Sequence, residues 1–130
     1  MTESDFDELL ATWEGNYKKG LLTFWLLLIL HEREAYAFEM STLITKLSWE
    51  TIIADDNSIY RALNRFEEIG IVSSTWRESD IGPKRRYYRI TRLGLQLLQA
   101  FISRNILRFN EEEIARRIQA VMADSSQEEE

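Results

Sequence analysis

The 130-residue chain has no cysteine, one proline, five glycines and one histidine. Without cysteine, neither a disulfide framework nor a thiolate metal site can form, and a reducing compartment, the cytoplasm, is expected. So little proline and glycine leaves few turn signals, which argues against an all-β sandwich and for a mainly helical domain. His31 stands alone at the end of an apolar helix, and there is no Gly-rich phosphate loop and no histidine cluster, so nucleophilic and zinc chemistry lack their parts. The Asp55-Asp56 pair is accounted for by helix capping. A non-enzyme with no catalytic residue, metal or cofactor is expected. Basic residues are outnumbered, 16 against 22 acids for a net charge of −6, which at face value speaks against nucleic acid as a partner.

A long hydrophobic run is also missing. The most apolar stretch, LLTFWLLLIL over 21–30, has ten residues where a bilayer span needs about 20. Lys18-Lys19-Gly20 before it and Ala35-Tyr36-Ala37 after it imitate a signal peptide. The acids Glu3, Asp5, Asp7, Glu8 and Glu14 stand where a basic region belongs, however, and the charged HERE segment falls at the would-be cleavage site. The run is therefore expected to be a core helix, buried nearly all round, with no membrane partner.

What is present is helical periodicity. Ser4, with Asp7 three residues on, predicts the cap of a first helix carrying the stripe Phe6, Leu9, Leu10, Trp13 and Tyr17. The apolar helix over about 21–32 follows, then a helix over about 37–48 with Phe38, Met40, Leu43, Ile44 and Leu47 inward. The cluster Asp55 to Ser58 opens a fourth helix that runs to Glu68 and is stopped by Gly70. Its core face is Ile59, Ala62, Leu63, Phe66 and Ile69; Ser58, Arg61, Asn64, Arg65 and Glu68 lie opposite. Residues 71–77 and 84–90 read as a hairpin, with Arg86, Tyr88 and Ile90 on one face of the return strand and Arg85, Tyr87 and Arg89 on the other. Thr91 predicts the cap of a helix to about Arg108, and Asn110 with Glu113 that of a last helix to about Ala123, Phe109 stapling to Ile114.

Three helices, a hairpin and a further helix give the order of a winged helix-turn-helix. Residues 21–94 resemble the PadR-type transcriptional regulators. The resemblance rests on Tyr36-Ala37-Phe38-Glu39-Met40, on the stretch Ser58 to Glu67, on Trp76, and above all on Gly82 to Gly94, which reads GPKRRYYRITRLG. Ala37 and Asn57 stand where the family more often has glycine. A clock-related subgroup lies within the family, and no residue selects it. The resemblance implies a fold that is mainly α with a small β-hairpin, and a homodimer that represses by occupying a promoter palindrome in double-stranded DNA. It also implies a flat aromatic effector held between protomers against a tryptophan, here Trp13 or Trp25. The corresponding division is 1–20 as an N-terminal dimer-contact helix, 21–92 as the DNA-binding domain, 93–123 as dimerisation helices and 124–130 as an acidic tail.

Split by segment, the charge changes meaning. From Asn57 to Arg92 there are eight bases and four acids, a net +4, which leaves −10 for the remainder. Ser58, Tyr60, Arg61, Asn64 and Arg65 are the expected base-reading residues, with Arg61 or Arg65 forking onto guanine and Asn64 pairing with adenine. Lys84, Arg85 and Arg86 are expected along a flanking phosphate row or in the minor groove, with Tyr87, on the same strand face as Arg85 and Arg89, expected at the backbone and Arg89 as a further DNA contact. Phe6, Leu9, Leu10, Trp13, Leu98, Phe101, Ile102, Ile114 and Ile118 are the expected dimer contacts. The alternative is a winged-helix module that binds protein without specific DNA binding, which the acidic remainder keeps open.

Overall fold

Thr2 accepts the Asp5 amide at 3.1 Å while the Asp5 carboxylate accepts the Thr2 amide at 3.2 Å, and this reciprocal box starts helix α1 (Glu3–Glu32). The computed structural model describes residues 2–125; the expected acidic tail lies mostly outside the described residues. The cap sits two residues before the expected Ser4, because Thr2 and Asp5 offer the same chemistry half a turn earlier. The two helices expected over 4–20 and 21–32 are one. No proline or capping residue interrupts at Gly20, and Phe6, Leu10, Trp13, Tyr17, Leu21 and Phe24 keep a single helical phase. Thirty residues make a rod of about 45 Å, yet its buried residues are only Leu26, Leu27, Ile29 and Leu30.

Helix α2 (Ala37–Leu47) buries Met40 and Ile44, whereas Phe38 and Leu47, expected inward, are exposed. Met40 and Ile44 suffice to meet α1 and helix α3 (Asp56–Glu68), so the outer members of the stripe are left over. The turn between α2 and α3 is held by Ser48, whose buried hydroxyl accepts the Ile52 amide at 3.0 Å. Asp55 caps α3 by accepting the Ser58 amide at 2.7 Å, and these hydrogen bonds hold its carboxyl below the usual aspartate range. The other end closes as a Schellman turn: Gly70, at φ +85°, donates to the Glu67 carbonyl and Ile71 to that of Phe66. Ile69, expected on the core face, is exposed at this turn.

Strands β1 (Val72–Arg77) and β2 (Arg85–Ile90) pair antiparallel from Val72 opposite Ile90 to Arg77 opposite Arg85. Ala35 adds a single bridge to Tyr88 through two hydrogen bonds, at 3.1 and 2.9 Å. The hairpin is thereby strapped to the connection between α1 and α2. Thr91 caps helix α4 (Arg92–Phe101) as expected, accepting the Gly94 amide at 3.1 Å and donating to the Gly70 carbonyl at 2.6 Å.

The expected helix to Arg108 does not continue as such. It widens to a π turn over Ile102–Ile106, where the Asn105 side chain donates to the Phe101 carbonyl, and tightens to a 3-10 turn over Leu107–Asn110. Helix α5 (Glu112–Ala123) then starts after Glu111 with no side-chain cap, so the expected Asn110–Glu113 box is absent; none of its residues is buried.

The core gathers Leu26, Leu27 and Leu30 of α1, Met40 and Ile44, Ile59 and Leu63, Val72, Tyr88 and Leu98. Leu98 is thus a core residue, which removes it from the expected dimer contacts. Phe101 stacks on Phe24 at 5.9 Å and Ile102 packs against the core, so both are half-buried within the chain. No helix among the described residues is long and apolar enough to cross a membrane.

Candidate nucleic-acid interface

With Ile59, Ala62, Leu63 and Phe66 turned into the core, the helical period leaves Asn57, Arg61, Asn64 and Glu68 on the opposite side of α3, flanked by Ser58 and Arg65. Arg61 and Arg65 are exposed; the Arg61 guanidinium reaches only a long 3.5 Å contact to the Ser58 hydroxyl. Tyr60 is also exposed, at the edge of α3 that faces the hairpin.

The inner face of the hairpin meets this helix through Arg86. Its Nη1 donates to Tyr60 Oη and to Asn64 Oδ1, both at 3.2 Å, its Nη2 to Glu67 Oε1 at 2.5 Å and its Nε to Ser74 Oγ at 3.0 Å. The Ser74 hydroxyl in turn donates to Glu67 at 2.9 Å. The guanidinium lies over the Tyr88 and Trp76 rings, at 5.3 and 5.7 Å from their centroids. Arg86 therefore ties β2 to α3, and the expectation that it lies along a phosphate row gives way to a positioning role. Asn64 is drawn into the same cluster, because its Oδ1 also accepts from the Tyr88 hydroxyl at 3.3 Å.

Burial pushes the Tyr88 phenol up to about 12, against the lowering effect of Arg86. The folded value exceeds the ordinary 10, so the stability from a neutral Tyr88 is fully present below about pH 10 and is lost as pH rises toward 12. Urea midpoints measured from pH 8 to 11.5 are expected to fall less steeply in Tyr88→Phe than in the unsubstituted chain; parallel curves would refute the assignment.

The outer face of the hairpin carries a second ladder. The Arg85 guanidinium covers Tyr36 at 4.6 Å, Tyr36 meets Tyr87 edge-on at 5.3 Å, and Arg77 covers Tyr87 at 4.6 Å while pairing with Glu34. Arg77 and Arg85 are direct cross-strand neighbours, a like-charge pair that is unfavourable unless each finds other company; the two tyrosines and Glu34 supply it. Arg89 donates to Ser73 Oγ at 3.0 Å, and Lys84 at the exposed tip holds Glu78 at 3.5 Å, a contact that costs little to exchange. Tyr36, Glu67 and Trp76 are parts of the site that the residue-by-residue reading did not assign. Alternation along β2 could have flagged Arg86, since it shares the inward face of Tyr88.

Among the described residues no group of acids and histidines could hold a metal ion.

The family model of the PadR-like transcriptional regulators matches residues 26–100. A PadR-like transcriptional regulator from Bacillus cereus has a similar solved structure, with 28% identity, 82% of this chain and 96% of that chain covered, and a TM-score of 0.62. A PadR family transcriptional regulator from Eggerthella lenta, 21% identical, covers 94% of this chain and 99% of its own with a TM-score of 0.63. Bacillus subtilis PadR in complex with operator DNA is 17% identical over 63% of this chain and 47% of its own, at a TM-score of 0.59, a likeness of fold.

Proposed function

The chain belongs to the PadR-like family of transcriptional regulators, and we propose that it regulates by binding a promoter palindrome in duplex DNA as a homodimer, repressing by occupancy in the cytoplasm. The observation that carries this reading is the exposed pair Arg61 and Arg65 on the face of α3 that turns away from the core, beside a hairpin braced against the same helix. An α-helix fits the major groove, and arginine forks onto the O6 and N7 of guanine. Ser58, Tyr60, Arg61, Asn64 and Arg65 face base edges in this reading, and Lys84, Arg85, Tyr87 and Arg89 line the flanking backbone. The complex of the Bacillus subtilis relative with operator DNA supports duplex DNA as the ligand to test.

Two recognition helices about 34 Å apart match successive major grooves, which makes the dimer part of the mechanism. The surface that supports it is the N-terminal part of α1, where Phe6, Leu9, Leu10, Trp13 and Tyr17 are all exposed, Trp13 to 75%. So many unpartnered apolar side chains on one stripe mark a contact surface. On α5, Ile118 is exposed and Ile114 half-buried, a second set of apolar side chains at the other end of the chain. Leu10, Trp13, Glu14 and Tyr17 form one open patch on a single face of α1; a flat aromatic effector would be held there only if a second protomer supplied the opposite wall.

Fluorescence anisotropy against palindromic and scrambled duplexes at rising salt tests the DNA reading. Sequence-dependent binding that falls steeply with salt supports it, and salt-insensitive or absent binding refutes it in favour of a protein-binding module. Leu10→Glu with Trp13→Glu is expected to convert the dimer to monomer in sedimentation equilibrium while α-helical circular dichroism persists; an unchanged mass would remove α1 from the interface.

A further inference from the structure

We propose that Asn64 reads its base pair as a hydrogen-bond donor only, and so selects guanine or thymine rather than the adenine that a free asparagine amide would take. This rests on the reading of α3 as the helix that enters the major groove. A side-chain amide oxygen has two lone pairs. At Asn64 both are engaged, by Arg86 Nη1 at 3.2 Å and by the Tyr88 hydroxyl at 3.3 Å. The amide orientation is fixed by the chemistry of its neighbour: arginine only donates, so a flipped Asn64 would set its own hydrogens against those of Arg86. Arg86 is itself held by Glu67 and Ser74, which leaves it no freedom to release the oxygen.

The Nδ2 amino group is left over. It has no hydrogen-bond partner among the described residues and is not buried, since Trp25 Nε1 is the one buried, unpartnered side-chain polar atom among them. Asn64 sits nearly opposite the core face of α3 and is half-buried, so this amino group lies on the side of the helix that would meet a duplex. The bidentate pairing with adenine requires the amide oxygen to accept from adenine N6 while the nitrogen donates to N7. With the oxygen taken, adenine N6 would face a second donor. Guanine presents two adjacent acceptors, O6 and N7, where adenine sets its N6 donor beside the one acceptor N7; thymine presents O4, and cytosine presents only its N4 donor. Because burial keeps the Tyr88 phenol protonated well above physiological pH, its donation to Asn64 does not lapse in ordinary buffers.

The test is selection of duplexes from a randomised library by the full chain, with sequencing of the bound pool, for the unsubstituted protein, Asn64→Ala, Asn64→Asp and Arg86→Met. The position whose preference flattens in Asn64→Ala is the one Asn64 reads. There the unsubstituted protein is expected to take guanine or thymine over adenine by about tenfold. Asn64→Asp, which has acceptors in place of the donor, is expected to turn to cytosine at that position alone. Arg86→Met frees one lone pair, and adenine is expected to rise to parity or above; a merely structural role for Arg86 would weaken all sequences alike and leave this preference unmoved. Adenine selected at that position by the unsubstituted protein, or no position flattened by Asn64→Ala, overturns the inference while leaving DNA binding by α3 in place. Failure of the unsubstituted protein to bind any duplex overturns the DNA reading and this inference with it. Should Arg86→Met not fold, the unsubstituted protein and Asn64→Asp decide the matter between them.

Discussion

Gly94→Ala is expected to destabilise the fold by about 3 kcal/mol, the upper end of what overpacking a core usually costs. A methyl group built on Gly94 would lie 2.1 Å from the Ile71 carbonyl oxygen and 2.8 Å from Ile90 Cγ1. The second neighbour is a side chain that could turn; the first is backbone, fixed by its own bond to the Thr91 amide at 3.1 Å. Relief therefore requires α4 to lift away from the start of β1, which strips cover from Ile71 and Leu98 and loosens the Thr91 cap. Gly94 serves here by lacking a side chain at a crossing, with no special backbone angle needed. Chemical denaturation gives the cost directly, and a midpoint unchanged from that of the unsubstituted chain would mean that α4 and β1 are not packed this closely in solution.

Arg61→Ala combined with Arg65→Ala is expected to weaken binding to a selected duplex by about 1–3 kcal/mol for each base that an arginine no longer reaches. Both side chains are exposed and neither forms a salt bridge among the described residues, so thermal stability is expected to move by no more than about 0.5 kcal/mol. That separation makes the pair informative: affinity falls while the fold holds. Anisotropy titration against the selected and a scrambled duplex measures it, and equal affinities for the double variant and the unsubstituted chain would place the DNA surface elsewhere. Changing Arg86 lacks this clarity, because its removal also unties β2 from α3.

Local patterning carries much of this architecture. The two faces of α3 short of Ile69, the alternation along β1 and β2 and the caps at Asp55 and Thr91 are each written in a few neighbouring residues, and each stands in the structure where those residues put it. What local pattern does not carry is anything decided by a distant neighbour. The junction at Gly20 reads as a break only because glycine is a poor helix former; continuity through it costs about 1 kcal/mol, which the unbroken apolar phase of α1 outweighs. Phe38 and Leu47 lie on the apolar stripe of α2, but which members of a stripe are covered depends on where α1 and α3 cross it. Leu98 reads as a partner contact because the sequence of α4 holds more apolar residues than one face can bury; the core takes Leu98 and leaves Leu93 and Leu97 exposed instead. Arg86 groups by charge with its basic neighbours, although strand alternation puts it beside Tyr88. For a long cation with Glu67, Asn64 and Tyr60 within reach, the geometry of the strand outranks the sign of the side chain.

Helix α5 also bears on time. A 12-residue helix with no buried residue is near the length at which isolated helices are marginal in water. Standing alone, its amide hydrogens should exchange with solvent almost as fast as those of an open chain, whereas those of α3 open only with the fold as a whole. The exchange rate along Glu112–Ala123 is therefore a clock for whatever covers Ile118, Val121 and Met122. If a second protomer does so, protection there should grow with protein concentration while that of α3 stays constant.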